Sequence, residues 1–182
     1  MQVLDAKGIE RTINRLAHEL VEKHKDLDRL ALVGIRTRGE FLAHRIAKKI
    51  FEIESKNIPV GVLDITLYRD DLHGRLDQPV LKSTEILFDI KDKDIVLVDD
   101  VLFTGRTIRS ALNALMDLGR PARIELLVLV DRGHRELPIK ADFVGKNIPT
   151  ARTQEVQVHL SEKDGEDSIY LLNADEEKEN RT

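Results

Sequence analysis

The sequence predicts an α/β fold, a doubly wound and mostly parallel sheet flanked by helices. Three observations carry this. Branched apolar runs recur at Leu30–Gly34, Val60–Leu67, Ile95–Val98 and Arg123–Val130, the last apolar from Leu126 onward. Their composition suits strands buried on both faces of a sheet. Between them lie segments with apolar residues at helical spacing, and charged or glycine-bearing turns follow the runs, where open α/β sheets bind ligands.

Asp5 to about Asp26 reads as the first helix, with an apolar stripe of Ile9, Ile13, Leu16, Ala17 and Leu20 and Asp5 as its cap. Its other faces interleave Arg11, Arg15, His18 and Lys23 with Glu10, Glu19 and Glu22, which reads as a solvated face of i,i+4 pairs. The strand Leu30–Gly34 enters a second helix, Glu40 to about Ile53, through Ile35-Arg36-Thr37-Arg38-Gly39. Gly34 and Gly39 have the spacing of the two P-loop glycines, but Glu40-Phe41 stands where Lys-Ser/Thr is needed, so a Walker A motif is excluded. What remains is a glycine-flanked loop with two arginines.

Val60–Leu67 predicts a strand, followed by a polar segment, Tyr68 to Arg75, of the kind that forms mobile lids. Residues 80–90 predict a further strand. The sequence then reaches its most informative stretch, Ile95-Val96-Leu97-Val98-Asp99-Asp100-Val101-Leu102-Phe103-Thr104-Gly105-Arg106-Thr107. A buried strand delivers two carboxylates to a turn rich in hydroxyls, and a helix follows, with apolar residues at Ile108, Ala111, Leu112 and Leu115. Helix-start N–H groups and the helix dipole favour an anion there. Gly105 permits close backbone approach, Thr104 and Thr107 add donors, and Arg106 adds charge. Asp99 and Asp100 are suited to accept hydrogen bonds from vicinal ribose hydroxyls or to help place a divalent metal. The helix is expected to stop at Gly119, before Pro121.

Length and composition bound the rest. The 182 residues suffice for one α/β domain and are short for two. No apolar run approaches the roughly 18 residues of a membrane helix, and no signal peptide is evident. With no cysteine there is neither a disulfide framework nor a thiolate metal site, and a cytoplasmic location is expected. Residues 162–182 hold 8 acids and 3 bases, leaving 25 and 26 in the body, so anion sites must come from local clustering. Absence of Trp argues against aromatic platforms for single-stranded bases. The expected organisation is one domain over 1–172 with an acidic, unstructured tail over 173–182.

The run through Asp99-Asp100 to Thr104-Gly105-Arg106-Thr107 resembles the phosphoribosyl pyrophosphate (PRPP) motif of the type I phosphoribosyltransferases. Within that group, Val-Asp131-Arg132-Gly-His134-Arg135-Glu-Leu-Pro-Ile, Asp64-Ile-Thr-Leu-Tyr-Arg69-Asp-Asp and Val33-Gly-Ile-Arg36-Thr37-Arg38-Gly39 are similar to the bifunctional PyrR family. Its members regulate bacterial pyrimidine operons by binding their messenger RNA, and many also act as uracil phosphoribosyltransferases. The resemblance runs from about Asp5 to Val158. It implies the type I phosphoribosyltransferase fold, with a small hood and a flexible loop closing over PRPP. The stretch Ala141 to Pro149 is similar to the hood of the hypoxanthine-guanine enzymes.

Residue by residue, the resemblance implies that Asp99 and Asp100 hold ribose hydroxyls, that Thr104, Gly105, Arg106 and Thr107 cradle the 5′-phosphate, with Val101, Leu102 and Phe103 also among the PRPP- and UMP-binding residues, and that Arg36, Thr37, Arg38 and Gly39 grip pyrophosphate. Arg69 is the candidate phosphate contact of the flexible loop. Asp131 and Arg132 lie near base and metal, and backbone groups around Val156 contact the base. Asp99, Asp100 and Arg132 are the catalytic candidates, and no general base is assigned. Mg²⁺ is expected to arrive with PRPP, near Asp100 and Asp131, since no residue spacing suggests a protein-built metal cage. Arg15, His18, His134, Arg135 and Lys140 are the RNA-binding candidates. The partners implied are PRPP, uracil, UMP, pyrimidine-operon mRNA and further copies of the chain, with no membrane. Purine salvage and a catalytically silent nucleotide sensor stand as competing readings.

Overall fold

The computed structural model describes residues 1–68 and 84–173. The element order is β1 (Gln2–Leu4), α1 (Ala6–Lys23), β2 (Leu30–Ile35), α2 (Arg38–Glu54), β3 (Val60–Leu63), a 3₁₀ turn (Thr66–Tyr68), β4 (Asp94–Leu102), α3 (Arg106–Leu118), β5 (Arg123–Asp131), β6 (Phe143–Asn147), β7 (Gln154–His159), α4 (Ser161–Asp164) and β8 (Ser168–Asn173). Strands β3-β2-β4-β5-β6 form a five-stranded sheet, parallel throughout. A separate antiparallel sheet, β1-β8-β7, stands as the hood.

Strand alternation sorts the core into two layers. Leu30, Leu32, Val96 and Val98 pack with Ile9, Leu16, Leu42 and Ile46 of α1 and α2 on one face. Ala31, Val33, Ile95 and Leu97 pack with Ile108, Ala111 and Leu115 of α3 on the other. Helices on both faces of a parallel sheet are the predicted doubly wound arrangement.

Several boundaries differ from expectation for identifiable reasons. α1 starts as predicted, with the Asp5 carboxylate accepting from Gly8 N at 2.8 Å, but stops at Lys23 because His24 leaves helical geometry. The strand expected over Val60–Leu67 ends at Leu63, where Asp64 Oδ1 captures both Thr66 N (3.0 Å) and Thr66 Oγ1 (2.6 Å) in a local turn. Within the predicted strand 80–90, the described residues from 84 make only a single bridge, Val62 with Glu85, and the Asp89 side chain then turns the chain by accepting from Lys91 N. The Ala141–Pro149 stretch is not the hood. Its Phe143–Asn147 portion is β6, the outer strand of the central sheet beside β5. Asn173, assigned to the tail, closes β8, and its side chain accepts from Gln154 Nε2 at 3.0 Å. The rest of the tail, 174–182, lies outside the described residues, as does 69–83, which contains most of the predicted flexible loop. Among the described residues no helix is long and apolar enough to cross a membrane.

Candidate active site

The predicted carboxylates close β4. Asp99 is paired across the sheet with Val128 of the α3-side layer, and Asp100 follows on the other face. Asp99 Oδ1 accepts from Asp100 N at 2.9 Å and Asp100 Oδ1 from Val101 N at 2.8 Å, so each acid is held against the next peptide. Burial, then the charge of Asp100, holds the Asp99 carboxyl well above the usual carboxylate range. Burial also raises Asp100, against the opposing pull of the Val101 N–H and the nearby Arg38 guanidinium. Each acid has one oxygen bonded to the following peptide, and Asp100 also lines a cavity.

The turn beyond them is tightly supported. Gly105 takes φ +92°, and a Cβ there would meet the Ile139 side chain at 3.3 Å. Thr104 Oγ1 accepts from Arg106 N at 3.3 Å, while the Thr104 carbonyl accepts from Glu136 N at 2.9 Å. Arg106 Nε donates to Glu136 Oε2 at 2.7 Å. The segment after β5 is thus strapped across the turn, and the first-turn N–H groups of α3 face the acids' end of the sheet.

The glycine-flanked loop joins this site by close backbone contact. A Cβ at Gly39 would lie 2.3 Å from the Val98 carbonyl oxygen, and one at Gly34 would lie 2.4 Å from the Gly39 oxygen. Only glycines let the start of α2 sit against β4 beside Asp99. The Arg36–Thr37 peptide is cis. Arg36 Nη1 lies 3.5 Å from Glu40, and Arg38 donates to Asp164 through Nε (3.0 Å) and Nη2 (2.9 Å). Arg38 and Asp100 line a cavity of about 300 Å³, walled by residues 155–159 of β7. Val156, itself buried, therefore lines the same cavity as Asp100.

Arg132 and its neighbours form a brace. The Arg132 guanidinium lies over the Phe103 ring at 4.0 Å from its centroid and donates to the carbonyls of Ala151 (3.4 Å) and Gln154. His134 meets the same ring edge-on, centroids 6.1 Å apart, and its Nε2 donates to the Thr150 carbonyl. Asp131 is adjacent to Leu102 in the sheet register, with Oδ1 accepting from Gly133 N at 2.9 Å and Oδ2 from Arg135.

The RNA-binding candidates do not form one cluster. Arg15 and His18 lie on α1, where His18 is exposed and Arg15 bonds Glu19 and the Gly145 carbonyl of β6. Arg135 is engaged within the protein. Its guanidinium is half-buried and spends its donors on Asp131, the Phe103 carbonyl (2.8 Å) and the Ile139 carbonyl (2.9 Å). His134 serves the Phe103 stack, whereas Lys140 is exposed next to Ile139, which packs into the α3-side core. Arg69 lies outside the described residues. Among the described residues no group of three or more His, Cys, Asp or Glu side chains is arranged to hold a metal.

What sequence reasoning missed is the hood's contribution. Glu155, Gln157 and His159 line the cavity with Val156, and Asp164 holds Arg38. The available signal was the acids Glu162, Asp164 and Asp167, which entered the sequence reading only as part of a charge count.

With this geometry in view, comparison with known proteins is decisive. The phosphoribosyl transferase domain matches residues 1–163. The chain belongs to that family. Within it, the chain is 62% identical over 170 residues to the bifunctional protein PyrR of Elusimicrobium minutum, covering 93% of this chain and 95% of the relative. It is 61% identical over 170 residues to the PyrR protein of Thermus thermophilus, covering 93% and 94%. A hypoxanthine phosphoribosyltransferase structure from Staphylococcus aureus superposes with a TM-score of 0.69 at 22% identity, covering 96% and 93% of the two chains, a likeness of fold alone. The protein is a phosphoribosyltransferase of the PyrR family, and the purine-salvage reading is not favoured.

Proposed function

We propose that the protein transfers the phosphoribosyl group of PRPP to uracil, giving UMP and pyrophosphate, and that it binds pyrimidine-operon mRNA in response to uridine nucleotide. The observation that carries the transfer reading is the cavity shared by Arg38, Asp100 and β7, with Asp100 only four residues before the Thr104–Thr107 turn. A sugar held at the acid pair places its 5′-phosphate on the turn and its C1 carbon toward Val156. Uracil, with alternating donors and acceptors on its edge, is suited to a strand's main-chain groups. Its attack on C1 breaks the bond to pyrophosphate through an oxocarbenium-like state, so positioning and charge neutralisation dominate the chemistry.

Asp99 and Asp100 accept the ribose hydroxyls, and Arg36, Thr37, Arg38 and Gly39 receive the pyrophosphate. Arg132 acts as a brace, since its donors go to backbone carbonyls of the segment leading into β7. The buried acid pair is a hard-oxygen donor set whose mutual repulsion a divalent cation relieves, so Asp100 suits the Mg²⁺ that accompanies PRPP. Asp131, the second residue expected near the metal, has both oxygens engaged by Gly133 N and Arg135. Held at Asp100, the ion would supply charge neutralisation for the pyrophosphate leaving group.

PRPP turnover with uracil, hypoxanthine and guanine offered in parallel tests the transfer reading, which expects product from uracil alone. Titration of operon RNA with and without UMP tests the regulatory half, which expects tighter binding with UMP. Self-association into dimers or larger assemblies accompanies this reading, and sedimentation analysis measures it.

A further inference from the structure

The first residue of α2 is held from the hood. Arg38 Nε donates to Asp164 Oδ2 at 3.0 Å and Nη2 to Oδ1 at 2.9 Å, a two-pronged guanidinium–carboxylate pair. Asp164 is fixed in turn, because its Oδ2 also accepts from Leu160 N at 2.9 Å. The hydrogen bonds from Arg38 hold the Asp164 carboxyl below its ordinary range. Nη1 of Arg38 has no hydrogen-bond acceptor among the described residues, and Arg38 lines the same cavity as Asp100. A planar guanidinium gripped along one edge presents its other edge in a fixed direction.

The hood turn has separate support. Arg45 lies two helical turns along α2 on the same face. It donates through Nη1 to Asp167 Oδ2 at 2.7 Å and through Nε to Glu162 Oε1 at 2.8 Å. The hood turn is therefore tied to α2 independently of the Arg38–Asp164 pair, and beyond its bond to Leu160 N the Asp164 carboxylate serves to aim Arg38.

We infer that Asp164 is a positioning residue for pyrophosphate recognition, orienting Arg38 so that its remaining N–H groups meet the diphosphate of PRPP. The inference rests on the transfer reading above and adds a residue of the hood, remote in sequence from every PRPP-binding segment. A pair that only clasped the hood to α2 would instead act through stability.

Calorimetric titration with PRPP and with magnesium pyrophosphate, on the full chain, separates the two, alongside KM for uracil and melting temperature. Asp164→Asn is expected to weaken both ligands about tenfold, with KM for uracil within about twofold of wild type. Asp164→Glu, which keeps the charge, is expected to retain most of the affinity. In an Arg38→Gln background Asp164→Asn is expected to add nothing, since the two act as one unit. Arg45→Gln is expected to lower the melting temperature and spare PRPP affinity. Unchanged or tighter PRPP and pyrophosphate binding in Asp164→Asn overturns the inference, as does a full loss persisting without Arg38 or an Asp164→Glu variant as weak as Asp164→Asn. If wild type binds both ligands and Asp164→Asn matches it, only the inference falls; if wild type binds neither, the transfer reading falls and takes the inference with it.

Discussion

Gly39 and Val98 touch backbone to backbone, with only 2.3 Å between the Val98 carbonyl oxygen and the place where a Cβ on Gly39 would stand. Real Cβ atoms do not come that close, so no side chain fits without moving α2 or β4. Gly39→Ala is therefore expected to push the Arg36–Arg38 loop away from Asp99. We expect at least about a tenfold rise in KM for PRPP and a melting temperature lower by about 4–8 °C, near 2 kcal/mol for a chain of this size. Steady-state kinetics and a thermal melt measure both.

The dry carboxylates at the end of β4 predict an opposition between activity and stability. Burial, and for Asp99 the charge of Asp100, hold both above the ordinary carboxylate range, so the folded protein binds these protons more tightly than the unfolded chain. Their ionised forms cost stability above the folded pKa, and the cost fades as pH falls toward the unfolded value near 4. Asp99→Asn is expected to raise the melting temperature at pH 7.5 by about 2–4 °C, with the gain shrinking toward pH 5. It is also expected to cut kcat/KM for PRPP by at least about a hundredfold. A destabilised variant with intact turnover contradicts both halves.

At the opposite end of the sheet, a buried charge cluster supports the fold alone. His24 Nε2 lies 2.6 Å from Glu125 Oε2, Lys23 reaches the other oxygen, and Arg123 Nε lies 3.1 Å from Asp94. Desolvation pushes the Glu125 carboxyl up, but Lys23 and His24 together outweigh it and hold it below the usual range. A lowered carboxyl stabilises above its unfolded pKa, and that stability is lost as pH falls through the folded value. Glu125→Gln, which removes the carboxylate that Lys23 and His24 share, is expected to lower the melting temperature by about 2–4 °C at pH 7. The difference should close below about pH 4, and PRPP turnover at 25 °C should be unchanged.

For RNA, the useful variants are the displayed cations rather than the braces. His18→Glu and Lys140→Glu are expected to weaken operon RNA binding and flatten its salt dependence, with uracil transfer unaltered. Filter binding across a salt series reads this. Arg135→Glu is expected to lower the melting temperature, because it removes the donor to the Phe103 and Ile139 carbonyls.

The central sheet was legible because both-face burial writes itself as unbroken apolar runs, as at Leu30–Gly34 and Ile95–Val98. The candidate site's turns were legible for the same reason, since Asp99-Asp100 and Thr104–Thr107 break those runs at fixed places. The hood was not. β7 and β8 are short antiparallel strands with mixed burial, and their acidic connecting turn has the composition of a solvated end. β6 was misplaced because Gly145 and Lys146 interrupt its apolar pattern, although a Cβ on Gly145 would meet the Leu129 oxygen at 2.4 Å. Nor can spacing reveal that Arg38 meets Asp164, 126 residues away.

Phe103 lies between Asp100 and the Thr104–Thr107 turn, and its ring is clasped by the planar groups of Arg132 and His134. The two groups that grip the ring are themselves pinned to the carbonyls of Thr150, Ala151 and Gln154, so the end of β4 is tied through Phe103 to the chain entering β7.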